Sequence, residues 1–274
     1  MKITSVNNDL VKETAKLLKS KYRDETGLFL IEGEKGVREA ISAGVNIRQI
    51  FILEGLRGYA EEITIETTEV VLSKISDTKT SPKIIAVAYQ PKQDIDLLKK
   101  AKKVVLLEGI KDAGNLGTIL RTASAFGIDG IVLYGDTVDL YNPKCVRSTV
   151  GCLWKVPVIQ IKDLNILKNV FASFERIATL PKGEDVIYLN SYIPSEKVLV
   201  MFGSEADGLS EELKEFATKN LTIEMVENVE SLNLSVSVAV VMYKIRGWFR
   251  GYRWLKVWLN IEAPAIAGAS ITLY

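Results

Sequence analysis

The feature that most constrains this chain is an alternation of short apolar runs with helical segments between residues 102 and 246. Polar residues rarely interrupt the apolar runs, which read VVLLEGI, GIVLYG, VPVIQI, RIATL and VLVMFGSE. Strands buried on both faces have this pattern, and segments such as LGTILRTASAFG and NPKCVRSTVGC between them have a helical pattern. The alternation predicts an α/β fold, a parallel sheet covered by helices. Ligands of such sheets bind beyond the carboxyl ends of the strands, so the loops after VVLLEGI and VLVMFG are the first candidate sites.

A smaller α/β unit is predicted over residues 1–95. It opens with NDLVKETAKLLKSKYR, an approximate helix with basic residues outside its apolar stripe, and FLIEG, VREAISAG and IRQIFIL then read as strand, helix and strand. Residues 90–103 are polar and contain a proline, which predicts a linker. Residues 102–246 form the second predicted domain, and the Trp-rich residues 247–274 are a tail to which the sequence gives no role.

Composition excludes several classes of chemistry. The chain has 274 residues and no histidine, which excludes Ser-His-Asp and Cys-His catalysis and histidine metal sites. Cys145 and Cys152 fit neither a disulfide framework nor a zinc site, and we expect two buried or half-buried free thiols. A net charge of +1 gives no overall argument for nucleic-acid binding, which must come from local basic patches. The absence of a long apolar run or signal-like start predicts a cytoplasmic protein without a membrane partner.

The first candidate motif runs from Glu108 to Arg121, where a strand ends in a glycine-containing loop. Asn115 is placed to cap the following helix. At 100° per residue Arg121 lies about 140° from Leu116, off the apolar stripe. A solvated surface arginine explains that position, and so does a group that binds a phosphate or a developing oxyanion.

Two further motifs follow strands near the end of the chain. In GSEADGLS, Gly203 ends a buried strand and Ser210 is predicted to cap the next helix, but the spacing matches neither a Walker loop nor a dinucleotide fingerprint. In ESLNLSVS, Ser231 or Asn233 is predicted to cap a long apolar helix. Either motif alone is explained as well by an ordinary turn or cap as by a binding site.

The order of these motifs is more informative than any one of them. NLGTILRTASAFGIDG, NPKCVRSTVG, VMFGSEADGLS and ESLNLSVS, in that order, resemble the motifs of the SpoU (TrmH-like) RNA ribose 2′-O-methyltransferases of the SPOUT superfamily over about residues 104–245. The N-terminal SVNNDLVK…FLIEGEKGVREA resembles the small L30e-like RNA-binding domain that precedes such catalytic domains.

The resemblance implies a C-terminal trefoil knot, S-adenosylmethionine as cofactor and no metal. It also implies a homodimer whose subunits contact each other through the knot region and the last helix, where Val238, Val241 and Met242 are apolar. The positions matching the family's catalytic motifs are Asn115, Arg121, Glu205, Ser231 and Asn233. Those matching its cofactor site are Leu180, Gly203, Ile223 and Leu232. The basic residues expected to contact RNA are Lys12, Lys16, Lys19, Lys21, Arg23, Lys144 and Arg147, with Asn142 beside the last two at an RNA or dimer face.

Two positions depart from the family pattern. Glu224 stands where proline usually precedes the methionine, which puts the stiffness of the cofactor loop in doubt, and Ser237 replaces a common alanine. The implied activity is methylation of a ribose 2′-hydroxyl, with ribosomal RNA favoured over tRNA and no DNA target. Arg121 is expected to position the ribose and stabilise charge, because a guanidinium is rarely deprotonated. The alternatives are a tRNA methyltransferase of the same superfamily, including one that modifies a base, and a non-catalytic RNA-binding protein.

Overall fold

The structure, a computed structural model, describes residues 1–183, 185–226, 229 and 231–246. Within these residues the strands form two sheets. The strands of the first sheet are β1 (Lys2–Ile3), β2 (Leu28–Glu32), β3 (Ile47–Leu53), β4 (Thr64–Thr67) and β5 (Ile84–Tyr89). They lie in the order β1-β4-β3-β5-β2, with β5 antiparallel to both neighbours. The helices of this part are α1 (Asp9–Lys16), α2 (Ser20–Thr26), α3 (Glu34–Ser42) and α4 (Glu69–Lys74).

The second sheet is parallel throughout, in the order β10-β12-β9-β11-β6-β7-β8. Its strands are β6 (Lys103–Glu108), β7 (Gly130–Tyr134), β8 (Val158–Ile161), β9 (Glu175–Thr179), β10 (Ile187–Tyr188), β11 (Val198–Phe202) and β12 (Lys219–Thr222). The helices are α5 (Asp96–Lys99), α6 (Ala113–Phe126), α7 (Pro143–Ser148), α8 (Leu164–Val170), α9 (Glu211–Phe216) and α10 (Leu234–Ile245). Of the helices among the described residues, none has the length and apolarity to cross a bilayer.

The parallel sheet and its two helical layers confirm the fold predicted from the apolar runs. Alternate residues of β6 enter different cores: Val105 and Leu107 pack in the cluster that contains α6 and α10, and Val104 and Leu106 in the one that contains α8 and α9. Both faces of such a strand must be apolar, which explains its uninterrupted hydrophobic sequence. Cys145 is buried and Cys152 half-buried, both as free thiols, as predicted.

The predicted linker, residues 90–103, contains a short helix. Residues 96–99 form α5, and Leu98 and Ala101 are buried in the core of the parallel sheet. Most positions of this segment are charged because they face solvent, whereas these apolar positions face inward. The polarity of the segment as a whole therefore hid its few buried residues.

The two sheets share one hydrophobic core. The Phe29 ring on β2 lies 4.7 Å from the Tyr141 ring and 5.8 Å from the Trp154 ring, measured between centroids. Residues of β2, β6, α6 and α10 all belong to a single buried cluster. The N-terminal part is therefore packed against the parallel sheet's α7 side.

The N-terminal basic stretch forms two helices, α1 and α2, instead of one continuous helix. Arg23 is 1% exposed, its Nε donates to Asp139 Oδ2 at 2.6 Å, and its Nη1 donates to the Leu17 carbonyl at 2.7 Å. The expectation that Arg23 contacts RNA is therefore wrong, because a buried and paired guanidinium cannot reach a phosphate. A buried arginine is rare unless paired, so nothing in its local sequence distinguished it from its lysine neighbours.

Candidate active site

Three of the predicted motif residues meet beyond the carboxyl ends of the parallel strands. Asn115 Nδ2 donates to Glu205 Oε1 at 2.8 Å. Asn233 Nδ2 lies 3.3 Å from Asn115 Oδ1 and 3.4 Å from Glu205 Oε1. These residues are up to 118 positions apart in the chain. We call Asn115, Glu205 and Asn233 the polar trio.

Asn115 lies in the first turn of α6, and the prediction that it caps that helix is wrong. The N-cap is Asp112, whose Oδ1 accepts from the Asn115 amide at 2.7 Å. Lys144 Nζ lies 2.8 Å from Asp112 Oδ2, and hydrogen bonds from Lys144 and then from the Asn115 amide lower the pKa of the Asp112 carboxyl. Asp112 therefore fixes the start of α6 and with it the Asn115 side chain.

Asn233 caps α10, as predicted, and its cap fixes which way its amide points. Its Oδ1 accepts from the Ser235 amide at 2.9 Å and from the Ser235 hydroxyl at 2.6 Å. With the oxygen occupied, Nδ2 is directed to Asn115 and Glu205. Ser231 is exposed and has no hydrogen bond to the trio among the described residues.

Glu205 stands on a tight loop after β11. The Ser204 amide donates to the Gly208 carbonyl at 3.2 Å, and the Gly208 amide returns a bond to Ser204 at 3.1 Å. A Cβ on Gly203 would lie 1.9 Å from the backbone carbon of Gly208. Gly203 is therefore required by its own loop, and a larger side chain there would displace the backbone that carries Glu205.

A cavity of about 480 Å³ opens beside the trio, between the loops after β6, β7 and β11. Glu108, Asp136, Glu205 and Asp207 line it. Glu108 Oε2 accepts from the Ser210 amide at 2.8 Å, which ties the β6 end to the start of α9. Ser210 occupies the N-cap position of α9, but its side chain makes no capping bond.

Arg121 is exposed on α6, off its apolar face, as the helical pattern predicted. It lies six residues beyond Asn115, about 9 Å along the helix axis. It makes no ion pair or hydrogen bond to the other described residues and is separate from the polar trio.

The cofactor positions implied by resemblance follow three neighbouring strands. Leu180 follows β9, Gly203 follows β11 and Ile223 follows β12, with Leu232 just before α10. Leu180 and Ile223 are half-buried and Leu232 is 37% exposed, so apolar side chains border this edge of the sheet. An apolar edge with backbone groups at strand ends is chemically suited to an adenosine.

The basic residues expected to contact RNA fall into two groups. Lys12, Lys16, Lys19 and Lys21 are exposed. Arg147 instead bridges the two parts of the protein, with Nη1 2.6 Å from Glu32 Oε2 and also in contact with Asp77. Arg147 is half-buried, and Lys144, though exposed, is paired with Asp112.

The last helix also differs from expectation. Val238, Val241 and Met242 are fully buried in the chain's own core and cannot form a dimer contact. The exposed apolar residues of α10 are Val236, Val240 and Tyr243, which are 47%, 39% and 56% exposed. The helical pattern indicated an apolar helix on all sides but could not say which side faces the core.

Sequence reasoning missed Asp112 and Glu108 as residues that position the site. For Asp112 a signal was present, because aspartate is as good an N-cap as asparagine and Asp112 stands three residues before Asn115. For Glu108 there was none, since its partner Ser210 is 102 residues away.

Known proteins share both the sequence motifs and this fold. The SpoU rRNA Methylase family model matches residues 102–243, and the MRM3-like substrate binding domain model matches residues 8–86. The chain is 32% identical over 250 residues to the Bacillus subtilis 23S rRNA (guanosine(2553)-2′-O)-methyltransferase RlmP, covering 89% of this chain and 99% of the relative.

Solved structures of similar proteins have the same fold. An AdoMet-bound rRNA methyltransferase from Sinorhizobium meliloti superposes with a TM-score of 0.81 at 27% identity, covering 89% of this chain and 96% of that one. An RNA 2′-O ribose methyltransferase superposes with a TM-score of 0.73 at 30% identity, covering 89% and 97%. The family model over residues 102–243 and the relative at 32% identity show that the chain belongs to the SpoU rRNA methylase family.

Proposed function

We propose that this protein transfers a methyl group from S-adenosylmethionine to a ribose 2′-hydroxyl of ribosomal RNA. The observation that carries the proposal is the contact between Asn115, Glu205 and Asn233, which brings three separate family motifs to one point. Relatives named as 23S rRNA 2′-O-methyltransferases support ribosomal RNA as the substrate class.

The trio would position the attacking oxygen. Glu205 Oε1 accepts hydrogen bonds from two amides, which fixes the carboxylate and leaves Oε2 free of described partners. In this proposal Oε2 accepts the hydrogen bond of the ribose 2′-hydroxyl and aligns that oxygen for attack. The bound cofactor supplies an activated methyl group on a sulfonium.

Leu180, Gly203, Ile223 and Leu232 are proposed to hold the cofactor. Half-buried Leu180 and Ile223 would contact the adenosine, while the backbone at Gly203 and Leu232 would hydrogen bond with it. We further propose that the chain after β11 is knotted and that 1–95 and 102–246 act as RNA-binding and methyltransferase domains.

Arg121 is proposed to stabilise negative charge on the reacting oxygen. Its exposure and lack of a described partner leave the guanidinium available for that contact. Ser231 is proposed to act beside it, and the lysines Lys12, Lys16, Lys19, Lys21 and Lys144 to contact RNA phosphates.

We propose a homodimer formed through the exposed side of α10. Val236, Val240 and Tyr243 recur at helical spacing and form one apolar stripe. A Val240→Asp variant should be monomeric by light scattering at micromolar concentration, whereas the wild type should have the mass of a dimer. A monomeric wild type would refute this assembly.

The test of the activity is mass spectrometry of nuclease-digested RNA. Unmodified 23S rRNA incubated with the protein and S-adenosylmethionine should yield one new 2′-O-methylated nucleoside. A methylated base would favour a different reaction of the superfamily, and modification of tRNA alone would move the substrate to tRNA. No modification, despite cofactor binding by calorimetry, would favour the non-catalytic alternative.

A further inference from the structure

Helix α7 lies between the N-terminal part and α6, and it is too short to hold its own position. It has six residues, Pro143–Ser148. Isolated helices shorter than about 12 residues are marginal in water, so contacts with neighbouring elements determine where α7 lies. Cys145 and Val146 are buried in the hydrophobic cluster that also contains Phe29 of β2 and Leu116 of α6. The helix therefore has a packing neighbour in each part of the protein.

On the N-terminal side α7 is held by the Arg147 guanidinium. Nη1 of Arg147 lies 2.6 Å from Glu32 Oε2 at the end of β2, and the same nitrogen contacts Asp77 in the loop after α4. The Glu32 side chain is 2% exposed, so salt screens this pair much less than an ion pair on the surface. Burial raises the pKa of the Glu32 carboxyl, and the charge of Arg147 opposes that rise. Arg147 therefore joins α7 to two segments of the N-terminal part.

On its other side α7 packs closely against α6. A Cβ on Gly117 of α6 would lie 2.4 Å from Ser148 Cβ and 2.7 Å from the Cys145 carbonyl oxygen, so only a glycine permits this approach. Close-packed contacts of this kind transmit a displacement instead of absorbing it. A shift of α7 would therefore move α6 with it.

The first turn of α7 also reaches the cap of α6. Lys144 Nζ lies 2.8 Å from Asp112 Oδ2, and Asp112 Oδ1 accepts from the Asn115 amide at 2.7 Å. Asn115 Nδ2 in turn donates to Glu205 Oε1. Lys144 and Arg147 are three residues apart on the same short helix. One element is therefore bound to the N-terminal part through one side chain and to the support of the polar trio through another.

We propose that Arg147 is a positioning residue for methyl transfer, which fixes α7 from the N-terminal part and, through α7, the Asn115 side chain of the polar trio. The N-terminal part then does more than contact RNA, because the geometry of the active site depends on it. A displacement of about 1 Å caused by a remote mutation can lower a rate by about 10²-fold. The inference rests on the proposed function for its reaction.

The test variant is Arg147→Met, which removes the guanidinium and keeps an unbranched side chain. The single-turnover rate of methyl transfer to 23S rRNA, at saturating RNA and cofactor, should fall about 10-fold, because the reacting groups are displaced and not removed. The Kd of the RNA, by fluorescence anisotropy, and that of S-adenosylmethionine, by calorimetry, should stay at the wild-type values. An arginine that contacted RNA would instead raise the RNA Kd, reduce its salt dependence and leave the saturated rate unchanged, which would overturn the proposal.

A conservative variant and a double variant test the route of the effect. Arg147→Lys should restore most of the rate, because both carboxylates contact a single nitrogen, which a compact ammonium can replace. The loss caused by Arg147→Met should disappear in an Asn115→Ala background, because a residue that acts through Asn115 has nothing to position once that amide is gone. Additive losses would show that Arg147 acts by another route and would overturn the proposal.

The matched control is Lys155→Met, which breaks another ion pair between the two parts of the protein. Lys155 Nζ lies 3.1 Å from Glu39 Oε2 on α3, but Lys155 lies beyond the end of α7. Its rate and both Kd values should equal those of the wild type. A loss of rate equal to that of Arg147→Met would show that any weakening of this interface slows the reaction, and the specific role of α7 would be refuted.

Arg147→Met leaves the Glu32 carboxyl buried without its cation, and removing one partner of a buried pair is strongly destabilising. If that variant does not fold, Arg147→Met/Glu32→Gln takes its place with the same expected loss of rate, because it leaves no buried carboxylate unpaired. Melting temperatures of all variants identify those that are folded at the assay temperature.

A second readout does not depend on methylation. In protein whose asparagines carry a heavy-nitrogen label, the side-chain amide signal of Asn115 is identified by its loss in Asn115→Ala. This signal should shift in Arg147→Met and stay in place in Lys155→Met. An unchanged signal in Arg147→Met would overturn the positioning role. If the wild type methylated no RNA, the proposed function would fail, and the spectrum would still test the link from Arg147 to Asn115.

Discussion

Asn233 has two roles in the structure, and an Asn233→Asp substitution separates them. Its Oδ1 caps α10 by accepting from Ser235, while its Nδ2 contacts Asn115 and Glu205. Aspartate keeps the acceptor oxygen that caps the helix and is as good an N-cap as asparagine. It replaces the amide donor with a carboxylate oxygen that faces the Glu205 carboxylate.

The distances give the expected magnitudes. Two unit charges at the 3.4 Å that separates Asn233 Nδ2 from Glu205 Oε1 repel by about 1 kcal/mol in water and about 5 kcal/mol at an effective permittivity of 20. Both side chains are exposed, so the lower figure applies to stability. Asn233→Ala should lose the cap and about 1 kcal/mol of unfolding free energy, whereas Asn233→Asp should keep the cap and lose about 1 kcal/mol to the repulsion, which high salt should screen.

The effect of Asn233→Asp on catalysis should exceed its effect on stability. In Asn233→Asp the repelled Glu205 carboxylate leaves its position, and single-turnover methylation should fall about 10²-fold, the scale of one lost positioning group. The assay is transfer of a labelled methyl group to 23S rRNA, with urea unfolding of both variants in parallel. A near wild-type rate in Asn233→Asp would refute the role of the trio, and a loss of stability in Asn233→Asp that high salt does not reduce would refute the capping assignment.

Three further predictions concern other parts of the molecule. Arg121→Ala should lower the rate of single-turnover methylation by about 10²–10³-fold and leave cofactor affinity, measured by calorimetry, unchanged. Arg121→Lys should stay impaired, because an ammonium lacks the planar fork of the guanidinium. A wild-type rate in Arg121→Ala would make Arg121 a surface residue without a catalytic role. Gly203→Ala should lose about 2–3 kcal/mol in urea unfolding, because its Cβ would meet the Gly208 backbone. Unchanged stability would refute that clash. Burial opposes ionisation of Glu175, but hydrogen bonds led by that from Lys219 outweigh it and lower its pKa from 4.5 to about 2. This stabilisation is complete above pH 4.5 and is lost as the pH falls to about 2. At about 1.4 kcal/mol per pH unit it amounts to about 3 kcal/mol. Between pH 4.5 and about 2 the unfolding free energy of the wild type should therefore fall more steeply than that of Glu175→Gln. Equal acid sensitivity of the two proteins would contradict the assignment.

The sequence by itself determined the class of fold and the family. Strands such as β6 are apolar on both faces, and this pattern is local, so it can be read without the structure. The glycines and asparagines of the motifs lie at strand and helix ends, where turn and cap chemistry restricts residue choice. Asn233 was predicted as a cap for that reason, and the structure confirms it.

Only the tertiary structure decided which charged and apolar side chains are available for function. Arg23 and Lys21 look alike in the sequence, but Arg23 is buried because Asp139, 116 residues away, accepts its hydrogen bond. Val238 and Val240 belong to the same apolar helix, and the packing of that helix on the core leaves the first buried and the second exposed. Gly203 was predicted to face the cofactor, yet the neighbour that excludes a side chain is Gly208 of its own loop. Local sequence fixes periodicity and caps, whereas burial and ion pairing depend on residues that only the fold brings together.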